Sequence, residues 1–141
     1  MRKLMLIFLL LFPTDAFAEV YNVQMLNRND VGAMVYEPGY LKISPGDTVK
    51  FIASKPGHNA ASIDSLWPEA VETFRGKINE EIEIKFEKEG IYGIKCTPHL
   101  SVGMVMIIQV GDERAKPEQI PDDMPRRAKE RLILYITESA D

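Results

Sequence analysis

Between Tyr21 and Val110 the apolar residues of this chain recur at every second position, in short stretches broken by turn signals. Tyr21, Val23 and Met25 alternate with polar neighbours, and Ile82, Ile84 and Phe86 alternate with Glu81, Glu83, Lys85 and Glu87. Successive side chains of an extended strand point to opposite faces, so this pattern buries one face and wets the other. Further short apolar stretches run over Ala33–Tyr36, Tyr40–Ile43, Thr48–Ala53, Ile91–Lys95 and Val105–Val110. Ser44-Pro45-Gly46-Asp47 and Lys88-Glu89-Gly90 separate them as turns. Many short strands with turns between them predict an all-β chain folded as a β-sandwich, not a helical or α/β fold. Ser62 to Phe74 shows no clear period, and a short helix is expected around Trp67-Pro68-Glu69.

Both ends depart from this pattern. Arg2 and Lys3 precede a nine-residue apolar run, Leu4 to Phe12, and an Ala16-Phe17-Ala18 ending. That is the layout of a secretory signal peptide over residues 1–18, cleaved after Ala18. A membrane anchor would need roughly 20 apolar residues, and no other run approaches that length. The mature chain, Glu19 to Asp141, is expected to be soluble, with no membrane insertion after processing. Its length suits one core, divided into a sandwich over 19–111 and a helical extension over 112–141. In the tail, Lys116-Pro117-Glu118 is expected to open a short helix and Asp122-Asp123-Met124-Pro125 a second. The two aspartates are candidate caps for the second helix. Ala128, Leu132, Tyr135 and Ile136 then share one face, expected to pack on the sandwich.

Losing Arg2, Lys3 and Asp15 moves the net charge from −4 to −5. A mildly acidic chain without a basic tract argues against nucleic acid as a partner. Cysteine usage says more. Exported proteins commonly pair their cysteines, and a single one signals an intermolecular bridge, a reactive thiol or a ligand. The single cysteine here lies in Cys96-Thr97-Pro98-His99-Leu100-Ser101-Val102-Gly103-Met104, with one of two histidines and a methionine. The other histidine, His58, stands in Lys55-Pro56-Gly57-His58-Asn59, just past the end of an earlier strand. If those strand ends meet at one pole of the sandwich, two imidazoles, a thiolate and a thioether converge. Taken singly, each residue has a plainer role as core filling or surface polarity. Together they suit copper, since a His2Cys plane with a weak axial methionine is the blue-copper arrangement.

The Cys-Thr-Pro-His-x4-Met loop, Gly57-His58-Asn59, the Ser44-Pro45-Gly46-Asp47-Thr48-Val49 turn and the helical tail together resemble the pseudoazurins. These are small periplasmic electron carriers of the cupredoxin (type I blue copper) group. The resemblance spans essentially the whole mature chain, including Ala33 to Pro38 and Lys77 to Glu80. It implies a Greek-key sandwich of about eight strands with a C-terminal helical extension, and no enzymatic activity. It also implies one mononuclear copper, with His58, Cys96 and His99 equatorial and Met104 axial. By the same resemblance, Asn59 would tie the two ligand loops together and aim a backbone N–H at the Cys96 sulfur. Met34, Pro98 and Gly57 would line an apolar patch around the exposed edge of His99, the electron port.

The family passes electrons to denitrification enzymes, chiefly nitrite reductase, and takes them from cytochromes or the respiratory chain. The resemblance therefore implies a periplasmic, monomeric carrier. Arg28, Lys55, Arg75, Lys77 and Lys95 occupy places resembling the family's basic rim around the port. Arginine stands at 28 and 75 and proline at 56 where the family has lysines. Glu87 and Glu89 lie one strand away, about 17 Å from Cys96, whereas Glu80 and Glu81 sit nearer the port. A periplasmic copper-binding or chaperone protein is the alternative reading, but chaperones usually present flexible Met- or Cys-rich segments and this chain has none. A zinc hydrolase would accept Cys with two His, yet thioether is a poor zinc ligand and no general base is evident. A thiol hydrolase would need a third group to orient its histidine.

Overall fold

The computed structural model describes residues 17–139, so all but the last two residues of the expected signal peptide lie outside the described residues. Eight strands form two four-stranded sheets. The first holds β1 (Val20–Asn29), β2 (Gly32–Glu37), β4 (Thr48–Ile52) and β6 (Ile82–Lys85), in the order β2-β1-β4-β6. The second holds β3 (Tyr40–Ile43), β5 (Ala61–Ser62), β7 (Gly90–Lys95) and β8 (Val105–Val110), in the order β3-β8-β7-β5. The chain crosses from sheet to sheet at every connection from β2 to β7. Two of the resulting pairs are parallel, β1 with β4 and β3 with β8. This is the expected β-sandwich with a helical extension.

The alternation along β1 buries Val23 and Met25 between the sheets, as predicted. β8 instead is buried at every residue, because both of its faces are covered. Met104, Met106, Ile108 and Val110 face the core between the sheets, and Val105 and Ile107 face the C-terminal helix. That helix, α1 (Arg126–Glu138), presents Ala128, Leu132, Tyr135 and Ile136 as its buried residues, the face predicted from the 3.6-residue period. Its Ala128, Leu132 and Ile136 join Val105 and Ile107 in the second apolar cluster. Thus α1 covers the outer face of the strand that begins just after Met104.

Several local expectations are corrected. No helix forms around Trp67. Leu66 donates to the Ile63 carbonyl and Val71 to the Pro68 carbonyl, each as an isolated turn, and Ala70 adopts a left-handed φ of 63° that breaks any helix. Trp67 packs edge-on against Tyr92, with ring centroids 4.7 Å apart. The segment is shaped by that contact rather than by backbone periodicity. Lys116-Pro117-Glu118 yields only a single 3-10 turn, Pro117–Gln119. The aspartates do not cap α1, whose N-cap is Pro125 without a side-chain bond; Asp122 instead accepts from Lys129 Nζ at 2.7 Å. β4 ends one residue early, at Ile52. Ile82 and Ile84 are only half-buried because β6 is an edge strand, and Phe86, beyond its end, is the fully buried member of that set.

Candidate metal centre

Two connections at one pole of the sandwich, β4–β5 and β7–β8, deliver the candidate donors. His58 follows β4 after Gly57, whose left-handed φ of 93° suits a residue without Cβ. The Gly57 N–H donates to Asn79 Oδ1 at 2.7 Å. Cys96 directly follows β7, and Thr97–Val102 form a 3-10 turn carrying His99. Gly103 closes that turn with φ 93°; a Cβ there would also lie 3.0 Å from the Arg127 carbonyl oxygen of α1. The main chain then clamps the loop. Cys96 N–H donates to the Met104 carbonyl at 3.0 Å, and Met104 N–H to the His99 carbonyl at 3.0 Å. Cys96 and Met104, eight residues apart in sequence, are thereby held side by side.

The donors meet. His58 Nδ1 lies 3.1 Å from His99 Nδ1, and the Cys96 sulfur lies 3.8 Å from the first and 3.4 Å from the second. Among the described residues, these three form a group able to hold a metal ion, and no carboxylate joins them. The point equidistant from the three atoms is about 2 Å from each, the length of a metal–ligand bond. His58 Nε2 lies 2.8 Å from Asn27 Oδ1. An amide oxygen only accepts, so Nε2 carries the proton and Nδ1 turns a bare lone pair inward. This is the tautomer a metal needs, held by an outer partner. The donor set fits copper: two imidazoles, an unpaired buried thiol and the buried thioether of Met104.

Burial raises the Cys96 thiol above its ordinary pKa, opposed by the backbone N–H groups of Asn59 and His99. Burial also lowers the His58 imidazole, with a smaller contribution from nearby His99. Both shifts favour the neutral side chains, and a cation bound between these donors would favour the thiolate instead. Asn59 joins the ligand loops as expected. Its Oδ1 accepts from Thr97 N–H at 2.7 Å, and its Nδ2 donates to Thr97 Oγ1 at 3.1 Å and to the Gly76 carbonyl at 2.9 Å. Tyr36 Oη donates to the Asn59 carbonyl at 2.6 Å. Neither Asn27 nor Tyr36 was legible as a site residue. Asn27 occupies an ordinary exposed place on an alternating strand, and Tyr36 reads as core.

His58, Cys96 and Met104 are buried, whereas His99 is only partly covered. His99 shares a surface recess with Met34, Val102 and Leu134. Pro98 is exposed beside it and Gly57 half-buried. Arg75 and Lys77 line a second recess with Thr97 and Pro98. None of Arg28, Lys55, Arg75, Lys77 and Lys95 is in an ion pair among the described residues. The nearby acids are partly engaged: Glu80 accepts from Lys77 N–H at 2.6 Å, and Glu81 lies 3.9 Å from Lys50 Nζ.

A two-sheet sandwich with His, Cys, His and Met gathered at one pole as a single type I copper site defines a cupredoxin. Residues 23–111 match the family model of copper binding proteins of the plastocyanin/azurin family. The putative pseudoazurin of Rhizobium leguminosarum bv. viciae is 48% identical over 113 residues, covering 79% of this chain and 74% of that one. The pseudoazurin of Paracoccus pantotrophus is 41% identical over 128 residues, covering 88% and 86%. Among solved structures, native pseudoazurin from Hyphomicrobium denitrificans superposes with a TM-score of 0.76 at 40% identity, covering 84% of this chain and 97% of that one. The chain belongs to the pseudoazurins, and as one of them it is a cupredoxin electron carrier whose partners are redox proteins.

Proposed function

We propose that this protein is a periplasmic one-electron carrier in which His58 Nδ1, Cys96 Sγ, His99 Nδ1 and the Met104 thioether would hold one copper ion. It would reach the periplasm through cleavage of residues 1–18, and act there as a monomer in which 19–111 is the sandwich and 112–141 its helical extension. Copper bound at this pole supplies a Cu(II)/Cu(I) couple. The chain's contribution is a set of donors held in place by Asn27 on His58, by Asn59 across the two loops, and by the main-chain bonds from Cys96 to Met104 and from Met104 to His99. Fixed donors require little rearrangement when the charge on the metal changes. The observation that carries the reading is the convergence of the three donor atoms with only His99 reaching the surface.

Nitrite reductase in denitrification is the proposed acceptor, with a cytochrome or another respiratory-chain protein as donor. Docking on the apolar surface around His99 suits a brief encounter, since small interfaces are typical of transient redox pairs. The basic rim of Arg28, Lys55, Arg75, Lys77 and Lys95 would act as steering charge, which governs association rate and its salt dependence. Screening weakens such steering beyond about 10 Å at 0.1 M salt. Lys77→Glu or Lys95→Glu should therefore slow electron transfer to an acidic-surfaced nitrite reductase at low salt, with potential and spectrum nearly unchanged. Stopped-flow rates across a salt series test this. The gap between wild type and variant should close as salt rises; equal rates at every salt concentration would remove the rim from the account.

A further inference from the structure

We propose that Arg131, on the C-terminal helix α1, is a positioning residue for the metal centre. Its Nη1 lies within hydrogen-bonding reach of three backbone carbonyls on two separate segments: Met34 at 2.7 Å and Ala33 at 3.1 Å in β2, and Gly103 at 2.7 Å in the ligand loop. A charged donor makes stronger bonds than a neutral one, and here one guanidinium group fastens β2 to the end of the ligand loop. Both acceptor segments are conformationally unusual. Met34 has a left-handed φ of 51°, which its Cβ disfavours, and Gly103 is left-handed with φ 93°.

One acceptor adjoins a ligand, and the other segment runs beside the strand residue that orients one. Gly103 directly precedes Met104, whose N–H is bonded to the His99 carbonyl. In the β1–β2 ladder the pairs Leu26–Val35 and Arg28–Ala33 flank Asn27 on one strand and Met34 on the other, and the ladder is interrupted between them where Met34 turns left-handed. The Asn27 side chain goes to His58 Nε2, and the Met34 carbonyl goes to Arg131. Arg131 thus acts on the His58 side through Met34 and Asn27, and on the His99–Met104 side through Gly103. A helix that follows the whole sandwich in sequence helps hold the pole where the ligands gather. The buried face of α1 docks it on β8 independently of this contact.

The inference rests on reading that pole as a copper site, and its test is chosen to fail separately. Amide hydrogen exchange is followed in the metal-free protein for wild type, Arg131→Met (similar length, no donor) and Arg131→Lys (charge and donors kept). In Arg131→Met, the amides of Gly103, Met104 and Met34 should exchange about tenfold faster. Amides of β4 and of the C-terminal half of α1 should be unchanged, and Arg131→Lys should recover part of the protection. After copper loading, Arg131→Met should show an altered Cu(II) electron paramagnetic resonance pattern and Arg131→Lys one nearer wild type. Uniformly faster exchange throughout α1 would reduce Arg131 to a helix-docking residue, and unchanged exchange at the three amides would overturn the proposal. If Arg131→Met does not fold, Arg131→Gln takes its place, with the same outcomes. A wild-type protein that shows no type I copper spectrum would instead overturn the copper reading and leave the exchange result standing.

Discussion

Asn27 and His58, thirty-one residues apart, are joined by a 2.8 Å hydrogen bond between the amide oxygen and ring Nε2. It sets the tautomer of a buried imidazole and leaves Nδ1 free to face the Cys96 sulfur 3.8 Å away. Removing an outer-shell partner of a ligating histidine typically costs 10–100-fold in metal affinity. Asn27→Ala should therefore weaken copper binding by about one order of magnitude, with little change in unfolding midpoint of the metal-free protein. Competition against a chelator of known affinity measures it. Unchanged affinity would mean that the ring is oriented by packing alone.

Met104 is expected to tune the couple more than it holds the metal. A weak thioether favours Cu(I) modestly. Met104→Gln offers a harder oxygen donor that favours Cu(II), so its reduction potential should fall below wild type. Met104→Leu offers no donor and should rise above it. Voltammetry of the two variants gives the order directly, and the reverse order would displace Met104 from the axial position.

Leu132 of α1 is fully buried against the outer face of β8. Leu132→Ala should cost about 2–5 kcal/mol of stability, the range for truncating a buried leucine. Urea unfolding of the metal-free protein would show this as a lower midpoint. The visible spectrum of whatever remains folded should be nearly that of wild type, because the substitution removes neither the ligand loop's own backbone bonds nor the Arg131 contacts. A loss well under 1 kcal/mol would mean that the helix is not a working part of the core.

The ligands were legible because their chemistry is scarce in this chain: one thiol, two imidazoles and a methionine at a fixed spacing can be read without knowing the fold. The strands were legible where alternation lasts, as in β1, and the helix face because Ala128, Leu132, Tyr135 and Ile136 share one 3.6-residue stripe. What could not be read is held by distant neighbours. β5 is two residues long, and its pairing with Ile94 and Lys95 of β7 leaves no local pattern. Trp67 sits among Tyr92, Phe74 and Phe86, so tertiary contact, not propensity, shapes its segment. Asn27 and Arg131 look like ordinary polar residues of an alternating strand and an amphipathic helix. Their partners lie on other elements, and only the folded chain brings them together.

The central claim is that Cys96 gives its thiolate to a copper ion held by both histidines. Titrating the metal-free protein with Cu(II) while recording the visible spectrum tests it most directly. The account predicts an intense thiolate-to-copper charge-transfer band that saturates at one copper per chain, vanishes on one-electron reduction and is absent in Cys96→Ser with the fold retained. A wild-type protein that binds copper without that band, or a Cys96→Ser variant that keeps it, would contradict the account.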